Sequence, residues 1–379
     1  MKYQRLIDLT DLSFKSVFLF GPRQTGKSFL LKERYSEFKI YNLLKSDLFA
    51  KYSKEPSLLR EEIEAMDKST TVIIDEVQRV PALLNEVHYL IEEYNIKFIL
   101  TGSSSRKLKR GGANLLAGRA LQKRLYPLVS KEIGDFDLLR IINFGSLPAI
   151  YESPIPEKEL EAYVGTYLRE EIQAEGLVRR LEPFSEFLDI AGLTNTEIVN
   201  YTNIASDLGV SAKTVKEYYL ILEDTMMGEL LKPYSKTVKR KATSTPKFFF
   251  FDVGVANNLG RRKNIVPKTD VFGKCFEHFI YTELRAFLSY SEDDRPLTYW
   301  RSKNGQEVDF IIGDDVAIEV KATQVAKPKH LRHLKALSEE INFKYKIVVS
   351  LDDAPRIMEN DYLVLPYKDF LIRLWNKEF

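Results

Sequence analysis

The sequence predicts an α/β protein of two or three domains, and three observations support this. An apolar stretch, Ser16–Phe20, leads into a glycine-containing loop and then into a helix-forming segment. A second, β-branched strand ends in the acidic pair Asp75-Glu76. Near the carboxyl end, two apolar strands flank an Asn-Gly turn, which is typical of a hairpin. A chain of 379 residues is long enough to bury more than one core.

The loop after the first strand has the pattern G-x-x-x-x-G-K-[ST]. It reads Gly21-Pro22-Arg23-Gln24-Thr25-Gly26-Lys27-Ser28. A strand before this pattern and a helix after it are the context in which it binds nucleotide phosphates. The two glycines let the backbone curl so that its N–H groups face phosphate oxygens, and the helix N-terminus favours an anion. Lys27 places a positive charge on the β- and γ-phosphates, and Ser28 offers its hydroxyl to Mg²⁺. All eight residues are therefore predicted to bind ATP with Mg²⁺.

The acidic pair after Val72-Ile73-Ile74 follows the loop by about 50 residues, which suits the second motif of a P-loop ATPase. Asp75 is predicted to hold the Mg²⁺ through water. Glu76 is predicted to orient and deprotonate the attacking water.

A further strand, Lys97 to Thr101, ends in small polar residues beside this acidic pair. Thr101, Ser103 and Ser104 are candidates to sense the γ-phosphate, and Ser103 is assigned to the nucleotide site. A turn of small residues without this role is the alternative. Arg119 stands at the start of a predicted fifth strand. It is assigned to the nucleotide site, acting in cis or as an arginine finger in trans, with a solvated arginine as the alternative.

The motifs of this half resemble those of a family of bacterial and archaeal AAA+-type ATPases whose members carry a C-terminal domain of unknown function. The resemblance covers essentially the whole chain. It rests on the phosphate loop and on three further stretches: Ile74-Asp75-Glu76-Val77-Gln78, Leu100-Thr101-Gly102-Ser103-Ser104 and Leu116-Ala117-Gly118-Arg119-Ala120. It implies a parallel sheet with a helical lid and the sensor position proposed above. The predicted boundaries are an ATPase core over residues 1–129 and a lid over 130–192.

Residues 193–245 are predicted to form a winged-helix-like domain. Asn203 to Ser211 and the segment that follows read as helix, turn and helix, with Ser211 as the N-cap of the second helix. Lys213 and Lys216 lie near the start of that helix, where recognition helices contact DNA. Packing against the ATPase without DNA contact is the alternative. Ten basic residues against one acid between Lys232 and Lys268 favour contact with a phosphate backbone, although a charged run is also compatible with a solvated face.

Residues 246–379 are predicted to form a second α/β domain with a cluster of charged residues. Because strand side chains alternate faces, Glu319 and Lys321 project on one side, and Asp309 can face them across the hairpin. Glu277 lies on the preceding helix. These residues resemble the PD-(D/E)XK phosphodiesterase superfamily. The resemblance implies Mg²⁺ or Mn²⁺ held by Glu277, Asp309 and Glu319, with Lys321 orienting or deprotonating water or stabilising charge on the phosphate. A non-catalytic scaffold is the alternative.

Composition narrows the class of protein. A hydrophobic fraction of 44% and a charged fraction of 29% are ordinary for a globular protein. One cysteine, Cys275, excludes an intrachain disulfide, and the absence of a long apolar stretch or a signal-peptide core predicts a cytoplasmic protein without membrane contact. We therefore expect an ATPase that engages DNA and is coupled to metal-dependent cleavage. The alternative is a nucleotide-driven switch that binds a protein partner or DNA without cutting. A homo-oligomer is compatible with either.

Overall fold

The computed structural model describes residues 3–67, 70–104, 116, 118–168, 181–236, 244–359 and 361–379. The chain forms two compact units. The first contains Met1–Pro127 and Ile221–Met227, and the second contains Leu128–Leu220 and Gly228–Phe379. No helix in the described part of the chain is long and apolar enough to cross a membrane.

The first unit contains a five-stranded sheet in which every neighbouring pair is parallel. Its strands are β1 (Ser16–Phe20), β2 (Lys39–Asn42), β3 (Val72–Asp75), β4 (Phe98–Gly102) and β5 (Ala120–Arg124). Their order is β2-β3-β4-β1-β5. β1, β3 and β4 are buried along their whole length, because helices cover both faces of such a sheet, and this explains their continuous apolar runs. The predicted α/β fold with a parallel sheet is confirmed.

The helices of the first unit surround a core to which Phe18, Ile74 and Leu100 contribute. They are α1 (Lys27–Arg34), α2 (Ser46–Lys54), α3 (Ser57–Glu64) and α4 (Leu83–Tyr94), with short 3-10 turns at Thr10–Ser13 and Val77–Arg79. α1 begins directly at the phosphate loop, which is the predicted strand–loop–helix order.

The second unit begins with a run of helices. They are α5 (Ser130–Ile133), α6 (Leu138–Phe144), α7 (Pro148–Glu152), α8 (Pro156–Ala162), a π-helical segment (Tyr163–Leu168), α9 (Leu181–Leu193), α10 (Tyr201–Leu208) and α11 (Ala212–Asp224), the last four residues of which belong to the first unit. The charged, periodic stretch Glu157–Glu175 predicts helical structure; its part up to residue 168 is helical, and its part beyond residue 168 lies outside the described residues. Gly209 separates α10 from α11, and the Thr214 N–H donates to Ser211 Oγ at 3.1 Å, the predicted cap.

Two sheets complete the second unit. β6 (Gly228–Leu231) and β7 (Lys247–Phe250) form an antiparallel pair, so the apolar run at β7 pairs with β6 and does not join the larger sheet. The larger sheet has the order β12-β13-β11-β10-β9-β8. Its strands are β8 (Leu297–Arg301), β9 (Glu307–Ile312), β10 (Val316–Lys321), β11 (Tyr345–Ser350), β12 (Arg356–Met358) and β13 (Tyr362–Pro366). The remaining helices are α12 (Val253–Leu259), α13 (Asp270–Tyr290), a 3-10 turn (Pro328–Leu331), α14 (Arg332–Ser338) and α15 (Tyr367–Trp375).

A buried carboxylate organises the junction between α6 and α12. Asp252 accepts from the Ser146 N–H at 2.8 Å and caps α12 through the Val255 N–H at 3.1 Å. Burial raises the pKa of Asp252 to about 6. Gly145 lies against this carboxylate with φ +76°, and a Cβ there would lie 1.9 Å from Asp252 Oδ1. Only glycine fits this contact.

Replacing Gly145 with alanine is expected to lower the free energy of unfolding by about 3–4 kcal/mol, from left-handed backbone strain plus overpacking. Gly134 is the matched control, since its φ is +82° and a Cβ there would meet nothing within 4 Å. Gly134→Ala should cost only the backbone strain, about 1–2 kcal/mol. Urea unfolding of both variants measures the difference. Equal losses would show that the contact with Asp252 is unimportant.

Candidate functional site

The phosphate loop, the acidic pair and the polar end of β4 all lie at the carboxyl edge of the parallel sheet. β1 ends at Phe20, directly before Gly21, while β3 ends at Asp75 and β4 at Gly102. Because the strands are parallel and adjacent, their ends share one edge, where open α/β sheets bind ligands.

The phosphate loop is held by its own side chains and by one distant arginine. Lys27 Nζ donates to the carbonyls of Gly21 (2.6 Å) and Pro22 (3.0 Å), so the ammonium lies within the curl of the loop. The buried guanidinium of Arg5 donates to the carbonyls of Thr25 and Tyr126, both at 2.6 Å. Arg5 therefore ties the loop to the segment after β5. Sequence patterns gave no signal for this role, because Arg5 stands in no motif.

Gly21 is required by a close approach of two backbones. A Cβ at this position would lie 2.5 Å from the carbonyl oxygen of Leu125. Of the other loop residues, Gln24 is exposed and Arg23 is half-buried. Thr25 is buried, and its hydroxyl donates to the Pro22 carbonyl at 2.8 Å.

Ser28 and Asp75 are in direct contact. The Ser28 hydroxyl donates to Asp75 Oδ2 at 2.9 Å, and the Thr101 hydroxyl donates to Asp75 Oδ1 at 2.6 Å. Hydroxyl and carboxylate oxygens are the ligands that Mg²⁺ prefers. The residues predicted to hold the ion beside the loop thus fit it chemically. Thr101 is the sensor candidate that contacts the acidic pair directly, since its Oγ1 also accepts from the Glu76 N–H at 2.9 Å.

Glu76 is followed by a turn that brings Gln78 back to the edge of the sheet. The Gln78 amide nitrogen donates to Glu76 Oε2 and, at 3.1 Å, to Ser103 Oγ. Glu76, Gln78 and Ser103 are all buried. The sequence assigned Glu76 and Ser103 but gave no role to Gln78, which it included only as the last residue of the motif Ile74-Asp75-Glu76-Val77-Gln78.

The structure places Arg119 at the amino ends of the strands, opposite the end that carries the phosphate loop. β5 is parallel to β1, and Ala120 pairs with Ser16, the first residue of β1. Arg119 therefore precedes the amino end of β5, and its side chain forms an ion pair with Glu92 of α4. The register thus separates Arg119 from the phosphate loop of its own chain and argues against the role in cis, one of the two roles that the sequence leaves open. In the register of β5 against β1, Phe20 pairs with Arg124, so Arg124 is the arginine at the carboxyl end of β5.

The second charged cluster lies on β9 and β10 in the second unit. The antiparallel register ends at the pair Phe310 and Ile318, each next to a carboxylate of the cluster, Asp309 on β9 and Glu319 on β10. Lys321 Nζ lies 2.6 Å from Glu319 Oε1 and 3.8 Å from Asp309 Oδ2. The Val320 N–H donates to Asp309 Oδ2 at 2.7 Å. The structure thus brings the three predicted residues together.

Burial and neighbouring charges set the ionisation of this cluster. Burial, with the nearby Asp309, raises the pKa of the Glu319 carboxyl. Although burial favours the neutral amine of Lys321, the carboxylates of Asp309 and Glu319 raise its pKa above the ordinary value. Lys321 is therefore a cation at neutral pH. It suits charge stabilisation or orientation of water, not the proton-accepting role that the sequence left open.

Glu277, the third predicted metal ligand, pairs with a different lysine, which is buried. It accepts from Lys247 Nζ at 2.9 Å, and the same ammonium lies 2.5 Å from Glu307. No three or more His, Cys, Asp or Glu side chains within the described ranges are arranged to hold a metal ion. The predicted ligand set of Glu277, Asp309 and Glu319 is therefore not assembled. One carboxylate oxygen of the cluster could still contact a cation. Glu319 Oε2 is buried and has no hydrogen-bond partner among the residues described.

Two neighbours of this cluster were not predicted to contact it. Lys247 is a buried lysine in an apolar strand, and His333 lies on α14 with Nδ1 3.6 Å from Glu319 Oε1. The contact with Glu319 raises the pKa of His333. Both reach the cluster through contacts distant in sequence.

The helix-turn-helix exposes its lysines, whereas much of the basic stretch is paired. Lys213 and Lys216 of α11 are exposed. Within the stretch Lys232–Lys268, ion pairs join Lys236 to Asp314, Arg261 to Asp189, Lys247 to Glu277 and Glu307, and Lys263 to Glu157 and Glu161. Lys239, Arg240 and Lys241 lie outside the described residues. The excess of positive charge counted along the sequence is thus partly neutralised in space.

Two proteins are similar to this chain over nearly its whole length. An uncharacterized protein of Haemophilus influenzae is 23% identical over 400 residues, covering 95% of this chain and 97% of that protein. An uncharacterized protein of Methanocaldococcus jannaschii is 23% identical over 389 residues, covering 92% and 85%.

Two solved structures share low sequence identity with the chain. The Aeropyrum pernix ORC1 protein in complex with DNA is 12% identical, covers 65% of this chain and 86% of that one, and gives a TM-score of 0.25. A signal transduction ATPase with numerous domains (STAND) from Pyrococcus horikoshii, with a tetratricopeptide repeat sensor, is 16% identical. It covers 76% of this chain and 48% of that one, with a TM-score of 0.23.

Three family models match successive parts of the chain. An AAA domain matches residues 13–134. Two domains of unknown function, DUF8612 and DUF4143, match residues 135–265 and 272–370. The chain therefore carries an AAA-type P-loop ATPase domain, followed by a DUF8612 and a DUF4143 domain.

Proposed function

We propose that this protein hydrolyses ATP with Mg²⁺ and that its nucleotide state controls engagement of DNA. The observation that carries the first part is the contact of Ser28 with Asp75 at the end of β3, beside a loop that encloses Lys27. Parallel strands bring these groups to one edge from positions 47 residues apart.

Each residue of the site has a definite task in this proposal. Lys27 holds the β- and γ-phosphates, and Ser28 and Asp75 hold the Mg²⁺. When bound, the ion neutralises charge on the phosphates. Glu76 accepts a proton from the attacking water, and Thr101 and Ser103 hold the residues around it. Arg119 remains a candidate only in trans, which requires a homo-oligomer.

Engagement of DNA is proposed for the segment 193–245, which we interpret as a winged-helix-like domain. Support comes from the capped second helix α11, on which Lys213 and Lys216 are exposed near the amino end. The boundaries 1–129, 130–192, 193–245 and 246–379 are proposed for the core, lid, winged helix and C-terminal domain.

DNA-stimulated ATP turnover tests this proposal. Duplex DNA should raise the rate of ATP hydrolysis by the wild type several-fold, and a Lys213→Ala/Lys216→Ala variant should lose this stimulation while keeping its basal rate. Lys158→Ala, an exposed lysine of α8, is the control and should retain stimulation. Basal turnover without any response to DNA in the wild type would contradict DNA engagement but leave the ATPase proposal intact.

For the C-terminal domain we propose metal-dependent cleavage of a phosphodiester. Asp309 and Glu319 would hold the cation, and the unpartnered Glu319 Oε2 supports this assignment. A bound Mg²⁺ or Mn²⁺ supplies a positive charge beside the scissile phosphate. Lys321, held as a cation between the two carboxylates, would stabilise negative charge on that phosphate.

A second candidate function is a nucleotide-driven switch whose C-terminal domain binds a partner without cutting. The ion pairing favours it, because Lys247 and Lys321 already neutralise carboxylates of Glu277, Glu307 and Glu319. Nucleotide-dependent partner binding with no cleavage would support this candidate.

A further inference from the structure

Gln78 occupies an unusual position in the turn that follows the acidic pair. Glu76 has φ +63°, a left-handed conformation that is uncommon for a residue with a side chain and that clusters at functional sites. The 3-10 turn Val77–Arg79 follows it, and Gln78 is only 5% exposed. The backbone thus folds back to direct an amide into the edge of the sheet.

The orientation of this amide is fixed by its neighbours. A carboxylate only accepts hydrogen bonds, so the group facing Glu76 Oε2 must be the Gln78 NH₂. An NH₂ has two hydrogens, and the second reaches Ser103 Oγ at 3.1 Å. One nitrogen therefore joins the proposed base to the end of β4.

The oxygen of the same amide, unlike its nitrogen, makes no hydrogen bond to the residues described. Gln78 Oε1 is buried and accepts no hydrogen bond from the residues described. It packs against Gly102, where a Cβ would lie 2.8 Å away. A buried acceptor without a donor is unfavourable, so a residue chosen for packing alone would not be an amide. The side chain of Gln78 is thus placed so that its NH₂ group makes two hydrogen bonds while its oxygen makes none among the residues described.

We propose that Gln78 is a positioning residue for ATP hydrolysis, which holds the Glu76 carboxylate in one orientation and links it to Ser103. This inference rests on the proposed ATPase function, in which Glu76 accepts a proton from the attacking water. Proton transfer depends on the direction of the accepting oxygen, whereas nucleotide binding does not. Gln78 should therefore affect turnover much more than affinity.

The test compares two substitutions with different physical effects. Gln78→Met keeps the approximate shape but removes both donations. It should lower kcat about 10- to 100-fold, while the Kd for a non-hydrolysable ATP analogue changes less than about threefold. Gln78→Glu places a carboxylate beside Glu76. Repulsion between the two carboxylates should turn Glu76 away from its orientation, so kcat should again fall about 10- to 100-fold while the Kd for the analogue changes less than about threefold.

Controls separate this inference from a structural role and from failure of the underlying proposal. Gln122→Met and Gln122→Glu, at an exposed position of β5, should leave both kcat and the Kd for the analogue unchanged. Unchanged kcat in Gln78→Met, or loss of analogue binding in both Gln78 variants, would overturn the positioning role. Glu76→Gln is the reference. If it retains turnover, the proposed role of Glu76 fails as well. If it abolishes turnover while Gln78→Met does not, only the inference fails.

Discussion

Replacing Lys27 with alanine is expected to lower ATP turnover by about 10²–10³-fold, the range found when one charge-stabilising donor is removed from an active site. Lys27 is buried, and its ammonium lies at the carbonyls of Gly21 and Pro22, within the loop predicted to hold the phosphates. Alanine leaves a backbone free to form the loop but no charge for the transferred phosphate. Release of inorganic phosphate from ATP measures the effect.

Lys32→Ala is the matched control for this experiment. Lys32 lies on the same helix, α1, but is exposed. Its removal tests whether any loss of positive charge near the loop lowers turnover. Similar losses in both variants, or a Lys27→Ala protein that hydrolyses ATP at the wild-type rate, would contradict the assignment of the phosphate site.

The phosphate site could be predicted from sequence because its information is local. A strand, a glycine loop and a helix follow one another within 19 residues, Ser16 to Arg34, and the acidic pair ends its own strand. Arg119 shows where this approach fails. The sequence predicts a strand near it, but which end of the sheet the residue occupies depends on the direction and register of β5 against β1.

The C-terminal cluster of charged residues could also be predicted only in part. The sequence predicts strands around Asp309 and Glu319, where the structure has β9 and β10, and alternation places Glu319 and Lys321 on one face. The partners of the cluster come from elsewhere. Lys247 lies 30 residues before Glu277 in a strand of a different sheet, and no periodicity connects the two. A buried lysine in an apolar strand is costly unless carboxylates surround it, and only the tertiary structure shows that they do.

Asp309→Asn and Lys321→Met are each expected to lower cleavage of DNA by about 10²-fold or more, since both remove charge where a phosphate would be attacked. Labelled single-stranded, duplex and branched DNA, with Mg²⁺ or Mn²⁺ and with or without ATP, provide the assay. Lys303→Ala and Asp315→Asn are the controls, because both residues are exposed in turns that flank the same strands. They should cut at the wild-type rate.

The outcome distinguishes the two proposed functions of this domain. Loss of cutting in both site variants, with the controls intact, would assign the cleavage to Asp309 and Lys321. If the wild type cuts none of these substrates while it hydrolyses ATP, metal-dependent cleavage is contradicted. The ion pairs of Lys321 and Lys247 would then be understood as neutralising buried carboxylates to stabilise a binding module. In that case Lys321→Met should destabilise the protein, because it leaves Glu319 buried without its cation.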